Sequence, residues 1–281
     1  MKRNKWINVA RELMGNKVGI AAVIILFLIT LASILAFLST KNPDQMNALA
    51  RLQPPSRDHW FGTDDYGRDT FTRALYGGRV SLSVGFLSMI FATVIGVTVG
   101  VISGYFGGLI DSLLMRFLDI IMSIPSFLIL LLLSVYLKPS VGNIIVIISL
   151  LMWMSIARVV RAETMALKER EYVLYAKASG QSTFGIIWKH ILPGLLSVVI
   201  VSATNNIASA IMMESSLSFL GFGVQTPKAT WGSMLNGAQG YIAQAPYMAL
   251  FPGLLIFLTV LCFNILGDIL RIGLEPKLGK R

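Results

Sequence analysis

The chain has 281 residues, 55% of them hydrophobic and only 14% charged, with a formal net charge of +10. Soluble domains carry about a quarter charged residues, so the composition excludes an ordinary soluble enzyme and predicts an all-α protein that crosses a membrane several times. One cysteine, Cys262 in an apolar run, excludes an internal disulfide and any cysteine metal cluster.

Residues 1–17 form a basic tail, with Lys2, Arg3, Lys5, Arg11 and Lys17 against Glu12. The uncharged run 18–40 follows. A signal peptide has an apolar region of about 7–15 residues before a small-residue cleavage site. This run is longer and has no clear site, so it is expected to remain as the first span. Further uncharged stretches lie at 80–110, 120–137, 139–157, 190–213 and 229–267. A crossing needs about 20 mostly apolar residues, which predicts five more spans and six in all. The second lies near 80–103 and closes on a turn at Ser103-Gly104-Tyr105-Phe106-Gly107-Gly108. Lys138-Pro139-Ser140 makes a tight hairpin between the third and fourth. The sixth lies near 248–267. Pro125 is expected to kink the third span, as a packing feature or a hinge. Gly96 and Gly100 match a small-xxx-small pattern, which serves a helix contact within the chain or a dimer seam.

Two-thirds of the 24 Lys and Arg residues fall on one set of alternate loops. Basic loops mark the cytoplasmic side, so both termini are expected inside, and the positive charge is expected to meet anionic lipid rather than nucleic acid. The island 158–193 is then cytoplasmic, and the loop 39–79 is outside. The chain divides into a first part, 1–79 (tail, first span and outer loop), and a five-helix core, 80–281.

Catalytic signatures are missing. There is no phosphate-binding loop of the G-x-x-x-x-G-K-[ST] type and no H-E-x-x-H. His59 and His190 fall on opposite sides of the predicted membrane and cannot share a site. A Ser–His–Asp site around His59 is formally possible, but a surface histidine in a turn-rich loop is the favoured reading. Asp111, Asp119, Glu214 and Asp268 sit at predicted span ends rather than mid-membrane, where ion-coupling groups belong. The energy for any transport is therefore expected from a partner; a self-sufficient secondary transporter or channel is the alternative.

The island 158–193 is rich in Ala, Leu, Met, Lys, Glu and Arg, all good helix formers. Gly180-Gln181-Ser182-Thr183 reads as a break, and a second helix leads to Pro193. Val173, Ala176, Lys177 and Gly180 fall on one helical face by spacing. Pro193 suits the first turn of the fifth span, where its missing N–H costs nothing. Asn205, Asn206 and Ser209 lie within that span and either face a translocation path or bond to other helices.

Glu171-Tyr172-Val173, then Ala176-Lys177-Ala178, Gly180 and His190-Ile191-Leu192-Pro193, resemble the cytoplasmic loop of dipeptide, oligopeptide and nickel ABC importer permeases. Three more blocks agree: Phe61-Gly62-Thr63-Asp64-Asp65-Tyr66-Gly67-Arg68-Asp69, running on to Tyr76-Gly77-Gly78-Arg79-Val80-Ser81-Leu82; Glu214-Ser215-Ser216-Leu217-Ser218-Phe219-Leu220-Gly221-Phe222-Gly223 with Trp231-Gly232; and Asn264-Ile265-Leu266-Gly267-Asp268 with Glu275-Pro276. The long first span and outer loop are similar to the second of that group's two permease types. Tyr175, Gly194 and Glu275 depart from its usual residues. The resemblance implies a type I importer transmembrane domain that pairs with a second permease, two ATP-binding subunits and an extracytoplasmic solute-binding protein. ATP and Mg then bind the partners, and this chain holds no cofactor or metal and catalyses nothing. Glu171, Tyr172, Val173, Ala176, Lys177, Gly180 and Pro193 would form its ATPase-coupling loop, and Asn205, Asn206 and Ser209 would line the pathway. The cargo would be a short peptide, nickel, a metal chelate or an opine-like solute. The loop 64–69 would be a hydrogen-bonded turn packing the outer face, or a contact for the binding protein.

Overall fold

The computed structural model describes residues 5–274, so Glu275-Pro276 and the outermost basic residues of both tails lie outside the described residues. In chain order the helices are α1 (Lys5–Gly15), α2 (Lys17–Ile34), α3 (Thr70–Phe106), α4 (Gly108–Met122), α5 (Ser126–Tyr136), α6 (Val141–Lys168), α7 (Glu171–Ala178), α8 (Thr183–Ile186), α9 (Leu192–Phe219), α10 (Trp231–Ala238) and α11 (Tyr247–Leu274). Among the described residues the extended structure amounts to a bridge between Thr63 and Asp69.

Five helical stretches are long and apolar enough to cross a membrane: Lys17–Leu38, Thr70–Phe106, Val141–Lys168, Thr183–Phe219 and Tyr247–Leu274. The pair α4 and α5 makes a sixth crossing if it is one broken span, and a re-entrant loop otherwise. α4 and α5 meet at 78°, where the sequence predicts one kinked span over 120–137. The break follows from Pro125, which has no N–H to continue the ladder and biases Ile124 away from helical geometry. It stands as the N-cap of α5, and the bent pair begins at Gly108.

α3 runs for 37 residues, about 55 Å at 1.5 Å per residue, against a hydrocarbon core of about 30 Å. It therefore begins well before the apolar run and projects beyond the bilayer. It ends where Gly107 and Gly108 adopt φ of +66° and +57°, a conformation that costs other residues 1–2 kcal/mol or so. α6 is also longer than its apolar stretch and carries Arg158, Arg161 and Lys168 as a direct continuation of the membrane helix.

α3 and α6 form the most extensive helix pair. Ser88, Ala92, Gly96, Gly100 and Gly104 recur every four residues on α3 and are all buried. Small side chains let the two backbones touch. A Cβ at Gly96 would lie 2.8 Å from the Trp153 carbonyl oxygen, and one at Gly104 would lie 2.7 Å from that of Arg161. The Gly96-Gly100 pattern is thus a contact within the chain. Cys262 packs between α2 and α11 with Ala22 and Leu26. The basic tail, which the sequence presents as a plain tail, contains α1, and its Val9 lies against Gly273 near the end of α11.

The loop before α3 is a hydrogen-bonded knot, as the packing reading of 64–69 expects. Asp64 accepts from the backbone of Tyr66 and Arg68, both at 2.9 Å, and pairs with Arg68 Nε at 2.6 Å. Asp69 caps α3. It accepts from Thr72 N–H at 2.9 Å, Thr72 Oγ1 at 2.8 Å, His59 Nδ1 at 2.7 Å and Lys41 Nζ at 3.0 Å. His59 is therefore tied to a structural carboxylate, and the Ser56 hydroxyl accepts its backbone N–H rather than facing its ring. Burial alone would raise the Asp69 carboxyl, but these donors outweigh it and hold the group below the usual carboxylate range. A lowered folded-state value contributes stability that is present above about pH 4 and lost as pH falls through it. We expect thermal stability of the solubilised protein to drop on acidification below about pH 4, and Asp69→Asn to flatten that limb. At neutral pH, Asp69→Ala should cost about 1 kcal/mol for the cap alone; a variant indistinguishable from wild type in a denaturation scan would remove Asp69 from this role.

Candidate coupling site and membrane groove

α7 stands off one end of the bundle, between the end of α6 and the start of α8. Arg170 is its N-cap, and Ser179 follows it. The turn beyond is closed by two hydrogen bonds, Gln181 N–H to the Ala176 carbonyl and Gly180 N–H to the Lys177 carbonyl, both at 3.1 Å. This is a Schellman ending, which needs a left-handed residue just past the helix. Gly180 supplies it with φ of +76°. A Cβ there would meet nothing within 4 Å. Gly180 is thus required by backbone conformation, whereas spacing alone assigns it to close surface approach.

The face predicted from spacing is divided. Val173 and Ala176 are 3% and 7% exposed and join the main core with Leu167, Ile186 and Ile191. They fasten α7 to its own bundle. The outward residues are Glu171, Tyr172, Leu174, Tyr175 and Lys177, with Tyr175 76% exposed. A period of 3.6 puts 173 and 176 together, but it does not say which face meets the protein and which meets solvent.

Beyond α7, Ser182 caps α8 by accepting from Gly185 N–H. His190 Nε2 lies 3.0 Å from Gln181 Oε1 and closes the turn between α7 and the following helix. A π turn over Ile187–Ile191 joins α8 to α9 without a break, with Leu192 N–H bonded to the Ile187 carbonyl. Pro193 follows immediately in the first turn of α9. Proline removes a donor and crowds the carbonyl four residues back; the wider π spacing accommodates both. So Pro193 is in the first turn as expected, but of a helix that continues backward. Gly194 lets α9 abut α6: a Cβ there would lie 2.8 Å from Leu167 Cδ1.

Two ion pairs brace this end. Arg161 on α6 grips Asp111 on α4 through two nitrogens, Nη2 to Oδ2 at 2.6 Å and Nε to Oδ1. Arg158 pairs with Asp119 one turn of α6 away. Bidentate guanidinium–carboxylate pairs fix orientation as well as distance, so α4 is held to the helix that carries α7.

Within the membrane layer, Ser209 is exposed and lines a groove of about 390 Å³ with Phe127, Met212, Met213, Ser216, Val260 and Asn264. Its hydroxyl also donates to the Asn205 carbonyl at 3.4 Å. Asn206 is half-buried. Asn205 is exposed, with its side-chain oxygen lying over Gly267 of α11, where an added Cβ would run into it. Asn205 and Ser209 are thus exposed one turn apart on the same face of α9, with Asn206 turned partly inward. Sequence reasoning misses Ser216 and Asn264. Ser209, Met212 and Ser216 lie at i, i+3 and i+7, a shared face that spacing makes legible; the approach of α11 is not.

At the opposite end, Glu214 is fully buried. Ser218 Oγ donates to its Oε1 at 2.7 Å and Ser81 Oγ to its Oε2 at 2.9 Å. Trp231 N–H reaches Ser81 Oγ at 3.3 Å, and its indole N–H donates to the Ala74 carbonyl at 2.9 Å. One carboxyl group thus ties α3, α9 and α10 together. Among the described residues no three His, Cys, Asp or Glu side chains are grouped to hold a metal.

Residues 96–280 match the family described as binding-protein-dependent transport system inner membrane component. Residues 4–55 match the N-terminal TM domain of oligopeptide transport permease C. The chain is 42% identical over 274 residues to a dipeptide transport system permease protein of Alkalihalophilus pseudofirmus, covering 97% of this chain and 90% of that one. It is 38% identical over 276 residues to an oligopeptide transport system permease protein of Bacillus subtilis, covering 98% and 90%. It is 37% identical over 278 residues to a glutathione transport system permease protein of Pectobacterium atrosepticum, covering 98% and 92% of the two chains. With its helical bundle and these matches along nearly its whole length, the chain belongs to the inner-membrane permease family of binding-protein-dependent ABC importers.

Proposed function

We propose that this chain is one of two permease subunits of a bacterial importer for short peptides. A second, related permease completes the pathway, two ATP-binding subunits drive it with ATP and Mg, and an extracytoplasmic binding protein delivers the cargo. Both termini and α7 lie on the cytoplasmic side. The geometry of α7 carries this reading: a short helix is anchored by Val173 and Ala176 and presents Tyr172, Leu174, Tyr175 and Lys177 outward. Such an element transmits a push from a docked partner through α6 and α9 without deforming itself. The similar dipeptide, oligopeptide and glutathione permeases favour a peptide cargo; no observation favours nickel, a metal chelate or an opine. Residues 1–79 would serve as an appended anchor and outer loop, and 80–281 as the moving core.

The direct test is co-expression with the genes beside it, purification through this chain, and peptide uptake by proteoliposomes. Co-purification of an ATPase and uptake that requires ATP are expected. A chain that purifies alone and moves peptide without ATP would instead establish a self-sufficient transporter.

We assign the Ser209 groove to the pathway. Ser209→Cys should react with a membrane-impermeant thiol reagent at a rate that changes at least about threefold between nucleotide-free and ATP-bound assemblies. Ile207→Cys, at a buried position of the same helix, should react more slowly. Equal, nucleotide-independent rates at both positions would place the groove outside the pathway.

A further inference from the structure

A cavity of about 540 Å³ opens at the end of the bundle opposite α7. Its size falls within the range of small-molecule sites, about 300–1,000 Å³. Pro43 and Asp44 of the outer loop, Tyr76, Arg79 and Val80 of α3, and Lys228 ahead of α10 contribute to its wall. The sequence brings these segments together through glycine. A Cβ at Gly77 would lie 3.2 Å from the Thr230 backbone, and one at Gly78 would lie 2.9 Å from the Trp231 ring. With no Cβ at either position, the segment before α10 settles on α3, and Lys228 comes to the same cavity as Arg79. The buried Glu214–Ser81–Trp231 network holds that contact from beneath.

The cavity has an unbalanced charge. Asp44 is the one carboxylate in its wall, and it is engaged by Arg73 Nη1 at 3.0 Å, which also donates to the Pro43 carbonyl. Arg79 and Lys228 are exposed, and among the described residues neither forms an ion pair. The Arg79 guanidinium carbon lies 5.7 Å from the centre of the Tyr76 ring, which steadies it without neutralising it. The rest of the wall is mostly apolar, with Val80, Val141 and Ala229 beside the hydroxyl of Ser83. Two unpaired cations beside a mostly apolar wall suit an anion carried on an apolar body.

We propose that this cavity is a receiving subsite for the free C-terminal carboxylate of a short peptide, with Arg79 and Lys228 as its ligands and Tyr76 positioning Arg79. The choice of a peptide carboxylate over other organic anions rests on the importer reading above. The site takes the carboxylate by charge-assisted hydrogen bonds and leaves the side chains to the apolar wall, so it discriminates a terminus rather than a sequence.

The test uses the full permease assembly in lipid nanodiscs, without the binding protein, and equilibrium dialysis of radiolabelled N-acetyl-Ala-Ala against its C-terminal amide. The wild type should bind the acid at least about tenfold more tightly than the amide, as expected for a charge-assisted contact. Arg79→Gln and Lys228→Gln should each bring the acid toward the amide and leave the amide unchanged. Both side chains are exposed and unpaired, so gel filtration should show intact assemblies. Arg57→Gln, an exposed cation of the same face outside this cavity, should keep the preference. A wild type with no preference, or a preference that survives both substitutions, overturns the proposal. So does an unchanged acid-to-amide ratio accompanied by lost association with the binding protein, which would assign the two cations to an acidic protein surface. Peptide uptake by the wild type is measured in parallel. Discrimination without ATP-dependent uptake would sink the importer reading and keep the site; uptake without discrimination would sink the site alone.

Discussion

Replacing Gly100 by leucine should abolish the folded protein. The position faces α6, where a Cβ would lie 2.6 Å from the Ala157 carbonyl oxygen and 2.8 Å from Val160 Cβ. The first of these neighbours is main chain and cannot rotate away. Overpacking a filled core costs about 1–3 kcal/mol when side chains can adjust. Here the two helix axes must separate, which also strips contacts at Gly96 and Gly104 on either side. We expect a loss above about 3 kcal/mol, read as disappearance of the monodisperse peak in detergent gel filtration and degradation in the membrane. Gly142→Ala is the matched control. That glycine is near the start of α6, and a methyl group added there would meet nothing within 4 Å. Removing a helix glycine gains roughly 0.5–1 kcal/mol. If Gly100→Leu accumulates and melts as the wild type does, the α3–α6 seam is not the backbone-to-backbone contact described above.

The seam also shows what the sequence makes legible. Spacing of small residues identifies Gly96 and Gly100 as a helix contact, and long uncharged runs identify the crossings, because both are local consequences of the bilayer as solvent. Span limits are harder to read. α3 and α6 continue beyond the apolar layer, since helix propensity does not stop where hydrophobicity does, and Pro125 breaks a crossing that composition joins. The Asp69 cap is only partly visible: Thr72 is three residues on, but its other donors, Lys41 and His59, are brought in from the preceding loop. The same holds for Glu214, whose partner Ser81, itself bonded by Trp231 N–H, is set by tertiary approach and not by any period. In the coupling loop, propensity correctly gives helix, break, helix. The outward face cannot be read, because Val173 and Tyr175 are both suitable for burial, and only the position of Leu167 and Ile191 decides between them.

Reversing the character of that outward face should stop transport while leaving the permease intact. Tyr175 is 76% exposed, and its neighbours Tyr172 and Leu174 are about half exposed, at 48% and 47%. Large aromatic side chains at such density on a short, capped helix supply binding energy at partner interfaces. Tyr175→Asp removes that area and places a charge where a partner would have to desolvate it, a loss of at least about 2 kcal/mol for a central contact. We expect peptide uptake to fall more than about thirtyfold, the ATPase to co-purify poorly, and its residual hydrolysis to become independent of peptide. Thermal stability of the isolated permease should stay within about 0.5 kcal/mol of wild type, as for other exposed positions. Gly180→Ala separates rigidity from contact. It strains a residue at φ +76° by about 1 kcal/mol and frays the end of α7 with every outward side chain still present. If α7 acts as a rigid lever, Gly180→Ala should keep ATPase association and lose part of the uptake per ATP hydrolysed. If it acts only as an adhesive patch, that ratio should match the wild type. Full uptake by Tyr175→Asp would remove α7 from the coupling path and direct the search to the exposed Phe184 and Trp188 of the following helix, at 75% and 63% exposure.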